Sequence, residues 1–311
     1  MPPQLVSIVL VSYNRPQYLA SAIETALAQT WPNVELIVVD NRSPASDRIA
    51  QIVARYPAAR LIVHSDNRGF TGGMNAGIAF ARGRYAYLTE DDIDMDPRCV
   101  ASLVDYLEGH PEVGLGGPIM VNRGSGTIRC AGGHFELGGV YRMTIVGANQ
   151  SLGTIGFGEP YHVTYLPGAM MMARLDLLRD LHGFRDEFFM YVEDVELCAR
   201  VLKRGLFIAV VPEARVFHHE PDADVAPGLE FHKVKNLSAL YFMHAPLRVM
   251  PAFVLRYGVL AGLRALGGGS HRIGSHLKAW MWTIAHAPQL LAQRFRNHAG
   301  SVTSFPPVLR P

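Results

Sequence analysis

Four short apolar runs, rich in β-branched residues and alternating with helical patterns, restrict what this chain can fold into. They are Val6 to Val11 (VSIVLV), Val34 to Val39 (VELIVV), Arg60 to Val63 and Tyr85 to Leu88. Pro16 opens a helical pattern through Leu27. Asp47 to Tyr56 and Thr71 to Ala81 carry two more, the last with small residues on one face. A strand with no polar alternation is buried on both faces, and strand–helix–strand order joins parallel neighbours through crossovers. The expectation is an α/β fold: a Rossmann-like, mostly parallel sheet with helices on both faces. Ligands of such sheets sit beyond the carboxyl ends of the strands. Asp40 and an acidic cluster stand at two such ends.

The rest of the chain is less regular. Gly114 to Tyr165 is rich in glycine and β-branched residues and reads as strands and loops. Helical signals return at Arg174 to Leu181 and Asp194 to Arg204, followed by a short strand, Phe207 to Val211. The 311 residues, 49% of them hydrophobic, suffice for one large core with an appendage. Net charge is +2 but unevenly spread. No Asp or Glu follows Glu230, whereas Phe231 to Pro311 holds ten of the 29 Lys and Arg, leaving 19 basic against 27 acidic residues before it. The body is therefore acidic and the tail basic. Cys99, Cys130 and Cys198 are too few and too scattered for a disulfide framework or a zinc ribbon, and read as reduced thiols. The first apolar run has no basic region before it and reads as a strand rather than a signal peptide. No run is long enough for a transmembrane helix.

The acidic cluster is YAYLTEDDIDMDP, with Glu90, Asp91, Asp92, Asp94 and Asp96 in seven residues. It could be a solvated loop. It does not fit a calcium-binding EF-hand, because Pro97 and Leu103 stand where that loop needs Gly and Glu. It could also be a metal–diphosphate site, in which a divalent cation relieves the repulsion and takes phosphate oxygens. Asp96 before Pro97 reads as a helix N-cap, and Asp94 is expected to be exposed. Three further segments bear on the choice. DNRGFTGGMNAG (Asp66 to Gly77) is a glycine-rich turn into a helix, suited to close approach of a phosphate. Glu193 and Asp194 stand where a helix should begin, as helix-end charge or as a base entering a cleft. RVFHHEP places His218 and His219 after a strand-like run, where a neutral imidazole suits a metal also held by carboxylates.

Taken together, these segments resemble glycosyltransferase family 2, enzymes of the GT-A fold. The resemblance is carried by VSYNRPQYL, IVVDNRS, NRGFTGGMNAG, LTEDD, GFRDEFFMYVEDVELCAR and VPEARVFHH, in family order from Ser7 to Glu220. It implies an inverting transfer from a nucleotide-diphosphate sugar, assisted by Mn²⁺ or Mg²⁺. Glu90 and Asp92 match the ends of the family's Asp-any-Asp metal motif, with Asp91 between them; Glu at the first position departs from the pattern. Asp92, Glu90 and His218 are the implied metal ligands, with His219 one register away. Asp40 matches the acid that contacts the nucleobase, and Tyr13, Asn14 and Arg15 the loop beside the nucleotide. Asn67, Gly69, Gly73, Asn75, Glu90 and Asp91 complete the implied donor site. Asp194 matches the catalytic base, with Glu193 beside it. The motifs look most like those of rhamnosyl- and galactofuranosyltransferases, pointing to dTDP-rhamnose or a UDP-sugar such as UDP-galactofuranose as donor and a glycan or lipid-linked acceptor. Two other readings stay open, a sugar-1-phosphate nucleotidyltransferase and a non-catalytic sugar-nucleotide-binding scaffold.

A catalytic domain over residues 1–225 and a basic helical region over 226–311 are expected. In the latter, apolar runs mix with Arg248, Arg256, Arg264, Arg272, Lys278, Trp280 and Trp282. Basic residues with Trp and Leu, and no acids, suit an anionic membrane interface, at the inner face of the cell membrane of a cytoplasmic enzyme. A helical appendage packed on the body is the competing expectation. No nucleic-acid motif accompanies the charge. The sugar, the acceptor and the oligomeric state are not legible.

Overall fold

In the computed structural model the described residues are 3–153, 157–219, 229–266 and 270–296. The first half follows the sequence pattern. β1 (Val6–Ser12), β2 (Val34–Asp40), β3 (Ala59–Val63) and β4 (Tyr85–Glu90) alternate with α1 (Pro16–Leu27), α2 (Ser46–Val53) and α3 (Gly69–Phe80). These strands pair in parallel in the order β3-β2-β1-β4. Every residue of β1 is buried, as its unbroken apolar pattern requires. The register sets Ser12 beside Asp40 and Val11 beside Glu90, bringing both acidic positions to one edge.

There follow β5 (Ile93–Met95), α4 (Cys99–Gly109), β6 (Val113–Asn122), β7 (Ile128–Cys130), β8 (Gly133–Glu136), β9 (Arg142–Ile145), β10 (Tyr161–Val163), β11 (Met171–Arg174), α5 (Leu175–Asp180), α6 (Glu193–Lys203) and β12 (Phe207–His218). The large sheet continues from β4 in the order β11-β6-β12-β10. It is parallel throughout its first four strands and between β6 and β12, while β11 lies antiparallel between β4 and β6 and β10 antiparallel to β12. β8 and β9 form a separate hairpin.

Two expectations are corrected here. Arg174 belongs to strand β11, and its helix starts at Leu175. The strand expected over Phe207 to Val211 runs twelve residues, to His218. Pro212 normally ends a central strand, but here a register shift between Val210 and Arg215 absorbs it. The prolonged β12 sets His218 opposite Ile93 and Phe217 opposite Asp94. Two distant motifs are thereby joined.

The C-terminal region is helical, as expected: α7 (Leu229–His244), α8 (Met250–Phe253), α9 (Ala261–Leu266) and α10 (Ser270–Arg296), with a π-helical segment at Val254–Leu260. It packs on the body. Tyr241 stacks on Phe253 at 3.9 Å between centroids, and its hydroxyl donates to Gly139 O at 2.7 Å. Leu290 of α10 joins Phe188, Ala239 and Met243 in a small core of its own. The boundary expected between 225 and 226 lies outside the described residues. No helix among the described residues is long and apolar enough to cross a membrane. All three cysteines are free thiols and buried.

Candidate active site

A cavity of about 580 Å³ is lined by Arg15, Glu90, Asp92, Asn122 and His218, together with Arg129, Asn149, Tyr165, Tyr191, Glu193 and Asp194. The acidic cluster, the start of α6 and the end of β12 therefore meet in one place.

The cluster is not solvated. Asp91 and Asp92 are 2% and 1% exposed. Asp91 Oδ2 accepts from Ser12 Oγ at 2.6 Å and from the Tyr13 amide at 3.2 Å. Asp92 Oδ2 accepts from the Arg15 guanidinium, and His218 Nε2 lies 3.6 Å from the same oxygen. Burial, reinforced by Asp92 next door, pushes Glu90 up to about 8, and burial pushes Asp91 up to about 7. Like charges are thus made tolerable by one guanidinium and by retained protons. His218 is pushed the other way, down to about 4, by burial, so its ring is neutral at physiological pH.

Asp94, expected to be exposed, is 1% exposed. It sits on β5 and accepts from Ser21 Oγ at 2.7 Å, from Arg123 and from His219 Nε2 at 2.9 Å. The expectation fails because β5 is buried along all three of its residues and the partners of Asp94 come from distant segments. Asp96, expected as the N-cap, does not hold that place: α4 begins at Cys99 with Arg98 at its N-cap, two residues later than expected, and Asp96 instead accepts from the Arg98 amide at 3.0 Å in the turn before the helix. His219 serves Asp94 rather than Asp92 through its ring, and its amide donates to Asp92 O at 2.8 Å.

At the start of α6 the backbone is strained. Phe189, Tyr191 and Val192 all have positive φ, 62°, 69° and 69°. For a β-branched residue such as Val192 this is costly and needs outside support. α7 supplies it. The Asn236 amide nitrogen, fully buried, lies 2.8, 2.8 and 2.7 Å from the carbonyl oxygens of Phe188, Met190 and Tyr191, and Lys235 donates to Glu187 O. The turn aims Glu193 and Asp194 at the cavity. Asp194 Oδ2 accepts from Tyr165 Oη at 2.8 Å, and Oδ1 from the Val195 amide at 2.8 Å. Burial raises both carboxyls; the Asp194 charge lifts Glu193 well above the usual carboxylate range, while hydrogen bonds to Asp194 restrain its own rise. The proton of the pair therefore resides on Glu193 and the charge on Asp194.

The other predicted positions lie apart from the cavity lining. Asp40 is fully buried, and its oxygens serve the start of α2 and the loop before it, accepting from the Ser43 amide at 2.9 Å and from Ser46 Oγ. Tyr13 and Asn14 follow β1; Tyr13 is 44% exposed, and the Asn14 amide donates to Ser43 Oγ at 2.9 Å. In the glycine-rich segment, Asn67 Oδ1 accepts from Asn41 and from the Gly69 amide, at 3.0 and 2.8 Å. The Thr71 amide donates to Phe189 O. These amides of α3 are taken by protein. Gly69, at φ +68°, lies against Phe189, and a Cβ on Gly73 would meet Val11 at 2.8 Å. Asn75 brackets Phe184, accepting from its amide at 2.8 Å and donating to its carbonyl at 2.7 Å. The close approach these glycines allow is to the protein itself.

Arg129, Asn149, Tyr165 and Tyr191 enter the lining without having been singled out. Three come from the irregular middle, where no period marks them; Tyr191 stood in a quoted motif, two residues ahead of Glu193.

The residues fit a divalent cation in part. Asp92 Oδ1 and His218 Nδ1 are buried without a hydrogen-bond partner, and a carboxylate with a neutral imidazole suits Mn²⁺ or Mg²⁺. Among the described residues, however, no group of three or more His, Cys, Asp or Glu is arranged to hold a metal ion. Two protein ligands would leave the remaining positions to phosphate oxygens and water.

A parallel sheet with clustered carboxylates beyond its strand ends, facing a second carboxylate pair at a helix start, defines a GT-A fold. The fold is shared with solved structures: GalNAc-T7 with UDP, GalNAc and Mn²⁺ (TM-score 0.66, 13% identity, 92% of this chain and 58% of that one) and S. aureus TarS in complex with UDP (0.57, 16%, 94% and 88%). The profile described as Glycosyl transferase family 2 matches residues 7–181, and the chain belongs to that family. An N-acetylglucosaminyl-diphospho-decaprenol L-rhamnosyltransferase of Mycobacterium tuberculosis is 26% identical over 280 residues, covering 78% of this chain and 88% of the relative. An uncharacterized glycosyltransferase of Haemophilus influenzae is 26% identical over 218 residues, 68% of this chain, and the chain spans only 64% of that relative's length. Relatives from Rickettsia bellii and Rickettsia felis match over 29% of this chain, and only 13% and 15% of their own lengths are spanned.

Proposed function

We propose that this chain is an inverting hexosyltransferase that moves a sugar from a nucleotide-diphosphate donor to a hydroxyl of a glycan or lipid-linked acceptor in cell-surface polysaccharide or glycolipid synthesis. The observation that carries this reading is the set of orphaned buried polar atoms around one cavity: Asp92 Oδ1, Asn122 Oδ1, Glu193 Oε2 and His218 Nδ1. Buried polar atoms in a folded protein find partners, so four together indicate a polar ligand. The Asp194 carboxylate, oriented by Tyr165, takes the proton of the acceptor hydroxyl. The hydroxyl oxygen bonds to the anomeric carbon as the bond from that carbon to the diphosphate oxygen breaks, and the electron pair leaves with the diphosphate. Glu193, keeping its proton, donates a hydrogen bond within the acceptor cleft. Arg15 presents positive charge to the same space, and the exposed Tyr13 ring suits stacking on the base. A divalent cation held by Asp92 and His218, with Glu90 beside them, would neutralise charge on the departing diphosphate.

The relative from Mycobacterium tuberculosis, an L-rhamnosyltransferase acting on N-acetylglucosaminyl-diphospho-decaprenol, supports a rhamnose donor and a lipid-diphosphate-linked acceptor as the first to try; the motif resemblance makes dTDP-rhamnose the first nucleotide sugar, with UDP-galactofuranose next. The reading puts the chain in the cytoplasm, at the inner face of the membrane where such acceptors are exposed. A thermal-shift panel of UDP, dTDP, GDP and CDP with and without Mn²⁺ tests the donor half. Saturation at about a hundred times Kd adds about 2.7 kcal/mol, a visible rise. A rise with one nucleotide that needs Mn²⁺ is expected. No rise with any, in a folded protein, would leave the cavity without its donor and overturn the reading.

A further inference from the structure

The C-terminal helices present one surface to the body and leave another uncovered. Of thirteen large hydrophobic residues exposed in the described structure, nine fall between Leu247 and Ile284. Four of them are leucines immediately followed by a basic residue: Leu247–Arg248, Leu255–Arg256, Leu263–Arg264 and Leu277–Lys278. The four leucines are 57%, 55%, 59% and 55% exposed, and the four basic residues are exposed beside them. On α10, Leu277, Met281 and Ile284 recur at helical spacing on one stripe, away from Ala279, Thr283 and Leu290, which are buried. None of the four basic residues forms an ion pair among the described residues, and no carboxylate side chain exists beyond Glu230 to provide one.

We infer that this surface docks the protein on an anionic lipid membrane, the leucines entering the acyl boundary and the arginines holding the headgroups. Charge decides among the occupants. A second copy meeting the surface face to face would set arginine against arginine. The chain's own end, residues 297–311, holds no acid either and cannot complement it. A membrane of anionic lipids supplies both properties at once, a continuous negative surface with hydrocarbon beneath it. Nucleic acid would use the arginines but leave the leucines unsatisfied. Docking here deepens the proposed function, because it holds the cavity near an acceptor anchored in lipid; it rests on that reading for its purpose only, since binding is measured without donor or acceptor.

The test is flotation of the full chain with phosphatidylcholine vesicles, with and without phosphatidylglycerol, at low and high salt. Truncation at Pro246 is unsuitable, since it would uncover Tyr241 and Phe188 of the core. Two variants at exposed positions are used instead, Arg256→Glu/Arg264→Glu and Leu255→Asn/Leu263→Asn, each checked by its melting curve and by nucleotide binding, which should both match the parent. The parent is expected to float with phosphatidylglycerol vesicles and to be released by salt, and each variant to lose at least about tenfold in partition. Variants that float like the parent, or a parent that stays free at low salt, would overturn the inference. So would sedimentation showing an oligomer that both variants dissolve, which would make the surface a copy–copy interface. So would vesicle binding that appears only after residues 297–311 are removed, which would assign the surface to the chain's own end. Nucleotide binding retained in any of these cases leaves the glycosyl-transfer reading untouched.

Discussion

The acidic body and the basic extension handle unpaired charge in opposite ways. In the body, Asp91 and Asp92 are almost fully buried, Glu90 and Glu193 keep their protons, and two guanidiniums meet the cluster, Arg15 at Asp91 and Asp92 and Arg123 at Asp94. In the extension, Arg248, Arg256, Arg264 and Lys278 stand exposed with leucines beside them, and none of the four forms an ion pair among the described residues. Burying like charges is expensive and needs cationic partners, retained protons or a ligand to offset it. Exposing leucines is cheap singly and costly in a row. On the proposed readings, one region serves a small charged ligand and the other an extended surface.

The hardest break of the first half is Asp194→Asn, which leaves Tyr165 a partner but removes the base. Turnover should fall about 10²–10⁴-fold with nucleotide affinity kept, measured by single-turnover kinetics and calorimetry. Near-normal turnover would move the base elsewhere. Next is Asn236→Ala, which frees the strained turn without touching the cavity. Misplacement of Glu193 and Asp194 should cost up to about 100-fold in kcat, with a lowered Tm and little change in donor KM. Unchanged kcat with a lowered Tm would reduce Asn236 to a stability role.

The protons on the cluster give a pH dependence. A carboxyl whose folded value is raised holds its proton longer in the native state than in the unfolded chain, so the native state is favoured at low pH and that advantage is lost as pH rises. For Glu90 the window runs from the ordinary carboxylate value up to about 8. His218 works in the opposite sense, but only between about 4 and its ordinary value. Above that value, up to about 8, the ligand-free protein should lose stability with rising pH from this cluster. Binding of Mn²⁺ with the matching nucleotide should cancel the loss, so the ligand-induced Tm rise should be larger at the alkaline end. A flat or inverted difference would show that the cluster does not meet the cation. Smallest is Asp94→Asn, which keeps Ser21 as a donor but weakens Arg123 and His219. A loss of about 1–3 kcal/mol is expected in denaturant unfolding.

Legibility followed the range of the interactions. β1, α1 and β2 could be placed within a residue because each is a local pattern with a local stop, such as Pro16 or Asp40. The four-residue strand β11 has no period, and β12 hides its length behind Pro212. The presence of the acidic cluster was readable, but its division of labour was not. Asp94 looked exposed because Ser21, Arg123 and His219 are 73, 29 and 125 residues away. The support of the turn ahead of Glu193 by Asn236 was invisible for the same reason. A motif names the residues at a strand end; which of them face the cavity depends on partners that the motif does not contain.

The seam between α3 and β1 shows what such a motif can preserve. Cβ atoms on Gly73 and Gly77 would meet Val11 and Val9 at 2.8 and 2.1 Å. Any side chain there levers the helix off the sheet and carries Asn75, with the Phe184 turn it brackets, along with it. A pattern that reads as a ligand loop is here a packing seam, and a saturation scan of residues 69–77 should show its intolerance as loss of folded protein before loss of donor affinity.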